Sequence, residues 1–193
     1  MTTCIAIQQD GFAVLASDSR YSNDAEIFTA TIPKIQANGP YLFGGSGSAR
    51  ALNLVHYAFK PPVPSPNLKG RKLDQFITAQ FVPALRLCYE NGGYGLPKPG
   101  GPSELDSDLM LAINGSIYVI DDDYAWVSGV DGVYAIGSGS TVARGALEAV
   151  VYGKVLSIPQ TKAAALKVMK IVSKLTLHTG PPFHTFIQQS VVK

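Results

Sequence analysis

The 193-residue sequence predicts an α+β fold in which two stacked antiparallel sheets lie between two layers of helices, a four-layer αββα sandwich. Two observations support this prediction. Short apolar runs separated by turn residues open the chain and return after residue 108, as expected for strands joined in hairpins. Helical spacing of apolar residues occurs in one pair of segments in the middle of the chain and in a second pair near its end. The length suits one well-buried domain, residues 1–193.

The chain opens with two apolar runs, residues 4–7 and 12–16, on either side of a Gln-Gln-Asp-Gly turn. Asp10-Gly11 predicts a type I′ hairpin turn, because glycine adopts a positive φ without steric cost. The hairpin would place the N-terminus inside a sheet. Because chain termini are usually disordered, a terminus built into a strand suggests a function for the first residues.

The middle of the chain predicts two helices. Residues 49–59 have helical spacing and end before a Lys-Pro-Pro sequence. Residues 73–89 carry apolar side chains on one side, and Pro83 inside this segment predicts a kink, because proline donates no backbone hydrogen bond. The glycine- and proline-rich residues 91–102 are expected to form a mobile surface loop.

Strands and two further helices follow. Asn114-Gly115 predicts a hairpin turn between two strands. Ser140 is the predicted N-cap of the third helix, and three consecutive aspartates at 121–123 are interpreted as a turn and not as a metal site. The other predicted segments are strands at residues 41–43, 109–113, 117–120, 126–130, 133–136 and 184–188, helices at residues 141–152 and 160–177, and a polar irregular stretch at residues 21–31.

Composition excludes several classes of protein. The net charge of +2 is too small to indicate nucleic-acid binding. No apolar run is long enough to cross a membrane, and the two cysteines indicate a reducing compartment, so we expect a cytoplasmic protein. His178 and His184 lack a third ligand at metal-binding spacing, so neither a metal nor a cofactor is expected. Lys167, Lys170 and Lys174 form a helical stripe, either a solvated face or a docking surface for an acidic partner.

Thr2 is the candidate nucleophile. If Met1 is removed, Thr2 presents a hydroxyl and a free α-amine on the same residue. A threonine hydroxyl needs an adjacent base, and an α-amine with a pKa of about 7.7–8.0 can accept its proton. Asp18 ends the second predicted strand and Lys34 follows it. A lysine that pairs with a carboxylate close to the hydroxyl would lower the pKa of that hydroxyl.

A glycine-rich loop at residues 44–48 follows a predicted strand and precedes a helix. The dinucleotide-binding fingerprint, the P-loop pattern and the nucleophile elbow of α/β-hydrolases all fail to fit this sequence. The loop is therefore interpreted as backbone that can approach a substrate closely.

Short motifs occur in order along the chain, namely Thr2-Thr3, Ala16-Ser17-Asp18-Ser19-Arg20, Lys34, Gly44-Gly45-Ser46 and Gly137-Ser138-Gly139-Ser140. In this order and spacing they resemble the motifs of proteasome β-subunits and bacterial HslV, threonine proteases of the N-terminal-nucleophile hydrolase class. The similarity covers roughly residues 2–59 and 108–185. Proteasome β-subunits commonly carry an aspartate where residues 171–176 of this chain have no acid. The HslV branch also lacks it, so the resemblance favours that branch.

The resemblance implies a threonine endopeptidase with the N-terminal-nucleophile hydrolase fold. It implies that Thr2 is the nucleophile, supported by Asp18 and Lys34. It also implies that Gly45 donates its N–H to the oxyanion and that Ser138 hydrogen-bonds the amine of Thr2.

The same resemblance implies a homo-oligomeric double ring that encloses the active sites, acts on unfolded protein or peptide substrates, and has an AAA+ ATPase unfoldase as a candidate partner. Contacts within a ring are expected on the apolar side chains Leu52, Val55 and Phe59 of the first helix. Contacts between rings are expected on the helices that follow Ser140.

Two alternatives remain open. The first is a non-catalytic structural ring subunit, although such a subunit has no need to keep Thr2, Asp18, Lys34 and Gly45 together. The second is a small-molecule amidase of the wider N-terminal-nucleophile class, although the spacing of the aspartate and the lysine belongs to the proteolytic branch.

Overall fold

The structure, a computed structural model, describes residues 2–22, 26–95 and 105–190. Within these ranges the strands are β1 (Thr3–Gln9), β2 (Phe12–Ser17), β3 (Arg20–Ser22), β4 (Ile27–Thr29), β5 (Ile35–Asn38), β6 (Tyr41–Gly47), β7 (Ser107–Ile113), β8 (Ser116–Ile120), β9 (Trp126–Val127), β10 (Val133–Gly137) and β11 (His184–Gln189). The helices are α1 (Ala49–Tyr57), α2 (Arg71–Phe76), α3 (Val82–Asn91), α4 (Ser140–Val151) and α5 (Ile158–Leu175), with a π-helical turn (Ile77–Phe81) between α2 and α3.

The strands form two antiparallel sheets that stack face to face. The first sheet has the order β10-β1-β2-β11, and the second has the order β5-β6-β7-β8-β9. Side chains alternate along β1, so that Ile5 and Ile7 pack towards α4 and α5 whereas Cys4 and Ala6 pack between the two sheets. Helices α1 to α3 cover the outer face of the second sheet. The four predicted layers are therefore present.

A cluster of aromatic rings fills the core between the second sheet and helices α1 to α3. The ring of Phe81 lies 5.3–6.0 Å, centroid to centroid, from the rings of Tyr41, Phe43 and Phe59. All four side chains are buried. Offset and edge-to-face aromatic contacts add to the stabilisation that burial itself provides.

The predicted kink at Pro83 takes the form of a π-helical turn. Immediately before the proline, the N–H of Val82 bonds to the carbonyl of Ile77, five residues back. This wider turn accommodates a residue that has no N–H to continue the α-helical pattern. The helix predicted at residues 73–89 is confirmed as the continuous unit of α2, the π-helical turn and α3.

Two local predictions differ from the structure. The turn at Asp10-Gly11 has a positive φ at Gly11 alone, so it is not type I′, whereas Asn114 and Gly115 both have positive φ, as that turn requires. Ser140 is the first residue of α4, and Gly139 occupies the N-cap position. Glycine is required there because a Cβ would overlap the hydroxyl oxygen of Thr3.

The polar stretch predicted to be irregular instead contains a two-stranded ribbon. Strands β3 and β4 pair so that Tyr21 lies opposite Phe28, and their rings stack with centroids 5.4 Å apart. Cross-strand aromatic pairs stabilise such a ribbon. At the other end of the second sheet, β9 is shorter than the strand predicted at residues 126–130.

Burial changes the expected assembly surface. The side chains of Leu52, Val55 and Phe59 are buried within this chain, so the prediction that they form contacts within a ring is wrong. Their apolar spacing serves the packing of α1 on its own sheet. Of the loop predicted at residues 91–102, residues 96–102 lie outside the described part of the chain.

Within residues 2–22, 26–95 and 105–190, no helix combines the length and apolar character needed to cross a bilayer. The stripe of Lys167, Lys170 and Lys174 lies on the exposed face of α5.

We predict that Phe81→Ala lowers the free energy of unfolding by about 3–5 kcal/mol, because it removes the ring at the centre of the aromatic cluster. Leu87→Ala on α3 is the matched control: its side chain is 57% exposed, and the expected change is within about 0.5 kcal/mol. Denaturant titrations of the two variants measure the difference. Equal losses would contradict the proposed position of the core.

Candidate active site

The candidate site lies where strands of the first sheet end side by side. Antiparallel pairing sets Thr3 opposite Gly137 and Cys4 opposite Ser17. The start of β1 is therefore flanked by the ends of β2 and β10. Thr2, Asp18 and Ser138 directly adjoin these strand ends, so the sequence-predicted residues come together although they are far apart in the chain.

Asp18 and Lys34 form an ion pair that is inaccessible to solvent. The Lys34 ammonium donates to Asp18 Oδ1 at 2.8 Å and to the Arg20 carbonyl at 2.6 Å, and both side chains are 0% exposed. Burying two charges is costly unless hydrogen bonds satisfy both partners. The carbonyl supplies one such bond to the lysine.

Backbone amides complete the environment of the Asp18 carboxylate. Oδ1 also accepts the N–H of Thr3 at 3.1 Å. Oδ2 accepts the N–H of Arg20 at 3.1 Å and the N–H of Gly180 at 3.3 Å. The Lys34 ammonium and the Thr3 amide thus share one acceptor atom. This arrangement couples the ion pair directly to the main chain that follows Thr2.

Thr2 is held through its backbone by the end of β10. It is buried, and its carbonyl oxygen accepts a hydrogen bond from the Ser138 hydroxyl at 3.4 Å. The resemblance implies a bond from Ser138 to the amine of Thr2, whereas this bond is to the carbonyl. Gly137 has a φ of 89°, and a Cβ there would overlap the Thr2 carbonyl oxygen. Glycine therefore permits β10 to lie directly against the candidate nucleophile.

Gly45 lies in β6 next to the last pair of the β5–β6 ladder, in which Ile35 is opposite Gly44. Its carbonyl oxygen accepts from the Cys4 thiol of β1 at 3.9 Å. A Cβ on Gly45 would lie 2.7 Å from Leu52 Cδ2 and 3.1 Å from the Asp108 carbonyl oxygen. The close packing explains the glycine. It also brings the backbone of β6 to the site.

The loop that follows α5 supports the site, and sequence reasoning missed it. The hydroxyls of Thr3 and Thr179 are 2.6 Å apart and form a buried hydrogen bond. Arg20 Nη1 donates to the Leu177 carbonyl at 2.8 Å, and the Gly180 amide reaches Asp18. The polar Thr-Leu-His-Thr-Gly sequence after α5 was the available signal.

The thiol of Cys4 is a second kind of nucleophile, and it lies near the Asp18–Lys34 ion pair. Its environment makes it unreactive. Burial raises the pKa of the Cys4 thiol to about 12, and the nearby Lys34 charge opposes that rise. The attacking species of a cysteine is the thiolate, which is scarce at neutral pH when the pKa is this high. Cys4 therefore acts as a small buried apolar side chain and not as a nucleophile.

An open pocket of about 370 Å³ adjoins the ion pair. Lys34 lines it together with uncharged side chains, among them Tyr21, Phe28, Ile32, Leu52 and Tyr57. The pocket is therefore suited to an uncharged, largely apolar group.

His56 contributes no charge to this pocket at neutral pH. Burial lowers the pKa of His56, and a hydrogen bond to the Phe43 carbonyl opposes the shift. The Gln36 amide nitrogen lies 3.0 Å from His56 Nδ1, and His56 Nε2 lies 3.4 Å from the Phe43 carbonyl. This network fits a neutral ring that accepts at Nδ1 and donates from Nε2. Among residues 2–22, 26–95 and 105–190, no group of three or more His, Cys, Asp or Glu side chains could hold a metal ion.

Comparisons with known proteins give structural matches only. No protein-family model and no curated protein matches the sequence. The structure of BPH from Thiobacillus denitrificans in complex with epoxomicin matches with a TM-score of 0.77 and 18% identity, covering 99% of this chain and 100% of that chain. A second structure of BPH from Thiobacillus denitrificans matches with a TM-score of 0.70 and 20% identity, covering all of both chains. Eukaryotic HslV from Trypanosoma brucei gives 0.65 and 18%, covering 97% and 99%.

Identities of 18–20% over nearly complete chains establish similarity of fold. The fold class predicted from the sequence is confirmed by the two stacked sheets, the two helical layers and these matches. This chain has a four-layer αββα fold that it shares with HslV and with BPH.

Proposed function

We propose that this chain is a cytoplasmic threonine endopeptidase subunit whose nucleophile is Thr2 after removal of Met1. The observation that carries the proposal is the buried Asp18–Lys34 pair, whose shared carboxylate oxygen also binds the amide of Thr3. A buried charge pair joined to the main chain beside a threonine supplies the electrostatics that an N-terminal nucleophile requires. The fold shared with HslV supports the same class of enzyme.

The reaction follows from the properties of the groups at the site. The Thr2 hydroxyl attacks the carbonyl carbon of a peptide bond, and its proton passes to the free α-amine, through a water where one bridges them. The positive charge of Lys34 stabilises the developing negative charge on the attacking oxygen. The oxyanion receives a hydrogen bond from the N–H of Gly45, and Ser138 holds the Thr2 backbone. When the tetrahedral intermediate collapses, it releases the amine product and leaves an ester on Thr2. Water then hydrolyses this ester.

The substrate is a peptide or unfolded protein segment with an uncharged side chain in the pocket beside Lys34. Its aromatic and aliphatic walls favour such a group. The BPH protein was solved in complex with epoxomicin. Because the two chains share a fold over their full lengths, epoxomicin is the first ligand to test for binding here.

Enclosure of the site requires assembly, and we propose the homo-oligomeric double ring with an AAA+ ATPase as the unfolding partner. Exposed apolar side chains at the rim of the pocket support a contact between subunits. Phe28, Ile32 and Tyr57 line the pocket and are each more than half exposed, and Ile27 is exposed beside them on the ribbon. A cluster of exposed apolar groups commonly marks an interaction surface.

Thr2→Ala is expected to reduce peptide hydrolysis by about a thousandfold or more, because it removes the attacking oxygen. Thr2→Ser should retain part of the activity. Thr141→Ala, an exposed position in the first turn of α4, is the matched control and should leave the rate unchanged. The intact mass of each active sample should show that Met1 is absent. Full activity of Thr2→Ala, or an active sample that retains Met1, would overturn the assignment.

Removing one partner of the ion pair is expected to cost both stability and activity. Lys34→Met should lower the free energy of unfolding by about 3–5 kcal/mol, because it leaves a buried carboxylate unpaired. The double variant Asp18→Asn/Lys34→Met removes both charges and should recover most of that loss, while peptide hydrolysis remains abolished. Denaturant titration and kinetics on the same samples separate the two effects. Recovery of activity in the double variant would assign the pair a purely structural role.

Native mass spectrometry is expected to give a mass many times that of one subunit. Ile27→Glu should shift the distribution towards smaller species, because it places a charge in the exposed apolar cluster at the pocket rim. Val63→Glu is the control, since Val63 has a similar exposure, 65% against 66%, but lies in the proline-rich connector. An active monomer that hydrolyses small amides and not unfolded proteins would instead favour the amidase alternative. An assembled but inactive wild type would favour a structural subunit.

A further inference from the structure

Tyr21 connects the substrate pocket with the buried lysine. The Lys34 ammonium lies over the Tyr21 ring, 4.8 Å from the ring centroid. This distance and placement meet the criteria for a cation–π interaction. Tyr21 and Lys34 also both line the pocket of about 370 Å³. One aromatic ring is therefore in contact with the ammonium group and with the space in which a substrate side chain would bind.

The ribbon holds the Tyr21 ring in this position. Tyr21 lies in the centre of β3, directly opposite Phe28 of β4. The two rings stack with an interplanar angle of 16°. The backbone before Tyr21 is held as well, because the Arg20 N–H donates to Asp18 and the Arg20 carbonyl accepts from Lys34. The Arg20 backbone and the Tyr21 ring therefore both contact the Asp18–Lys34 ion pair.

An aromatic ring suits this position for electrostatic reasons. The Lys34 ammonium is fully removed from solvent, and the negative face of a ring attracts a cation most strongly when water is excluded. An aliphatic side chain of similar size would exclude water equally well but would offer no such attraction. The phenol itself adds no charge at neutral pH, because burial raises the pKa of Tyr21 above its usual value.

We propose that Tyr21 is a positioning residue that holds the Lys34 ammonium towards the Thr2 nucleophile, and that its ring forms the pocket wall against which an uncharged substrate side chain packs. This inference rests on the proposed peptidase function for its catalytic part. The contact between ring and ammonium stands without it. In this arrangement, Tyr21 acts on the rate through Lys34, whereas Phe28 acts on substrate binding and on the support of the ribbon.

The test compares Tyr21→Phe, Tyr21→Leu and the matched control Phe28→Leu. With a peptide substrate that carries an aromatic side chain, Tyr21→Leu should lower kcat roughly tenfold or more, the size that a desolvated cation–π contact supports. Tyr21→Phe keeps the ring and should restore kcat. Phe28→Leu removes the ring that stacks on Tyr21 but leaves the ring over Lys34 in place, so it should raise KM and lower kcat by a smaller factor than Tyr21→Leu does. Unchanged kcat in Tyr21→Leu, or equal losses in Tyr21→Phe and Tyr21→Leu, would overturn the proposal.

A second measurement is independent of catalysis. An amine-reactive acylating reagent, followed by peptide mass analysis, gives the rate at which Lys34 is modified relative to the exposed Lys167. Tyr21→Leu should raise the relative rate at Lys34 at least tenfold, and Tyr21→Phe should leave it unchanged. If the wild type labels as expected but hydrolyses no peptide, the proposed function fails and the positioning of Lys34 by Tyr21 stands. Unchanged labelling in Tyr21→Leu would overturn that positioning.

Thermal unfolding of each variant shows whether the substitution causes a general loss of structure. If Tyr21→Leu unfolds below the labelling temperature, Tyr21→Met provides a second non-aromatic side chain of comparable length. An increase of at least tenfold in the labelling rate of Lys34 in Tyr21→Met, with unchanged labelling of Lys167, then supports the proposal. Protection of Lys34 equal to that of the wild type is the contradicting one.

Discussion

The buried Asp18–Lys34 pair is the interaction on which the candidate site depends. Removing two charges from water costs several kcal/mol per ion unless their attraction and further hydrogen bonds offset that cost. The carboxylate receives amide donors from the start of β1, from the turn after β2 and from the loop after α5. These segments are distant in sequence. The pair is therefore satisfied only when the first sheet, the ribbon and the end of α5 are all in place.

Close packing of backbone segments fixes the positions of the groups at the candidate site. Gly137 and Gly139 let the chain pass directly against Thr2 and Thr3, and a Cβ at either position would overlap an oxygen atom. Strand ends in a rigid sheet hold a catalytic group more accurately than a flexible loop can. The main chain of β10 thus lies directly against the proposed nucleophile, and in the proposed mechanism its reactivity depends on the ion pair and the amine.

The short ribbon of β3 and β4 contacts both the pocket and the Asp18–Lys34 ion pair. Its stacked pair, Tyr21 and Phe28, forms part of the pocket wall, and one ring also faces the Lys34 ammonium. Apolar side chains on the same rim are exposed in the isolated chain. The proposed substrate pocket, the proposed subunit contact and the charge of Lys34 therefore meet on one small element.

The sequence by itself predicted the layered αββα fold and the order of the main strands and helices, because periodic apolar patterns are local properties. The grouping of Thr2, Asp18 and Lys34 was an expectation from the resemblance of short spaced motifs. The tertiary structure decided the rest. Leu52, Val55 and Phe59 show that an apolar stripe indicates a buried face but not which surface covers it. The β3–β4 ribbon depends on a cross-strand ring contact, and the Gly180 amide reaches Asp18 from far along the chain. Backbone donors carry no side-chain signature, so their role becomes visible only when folding brings them to the charge that they stabilise.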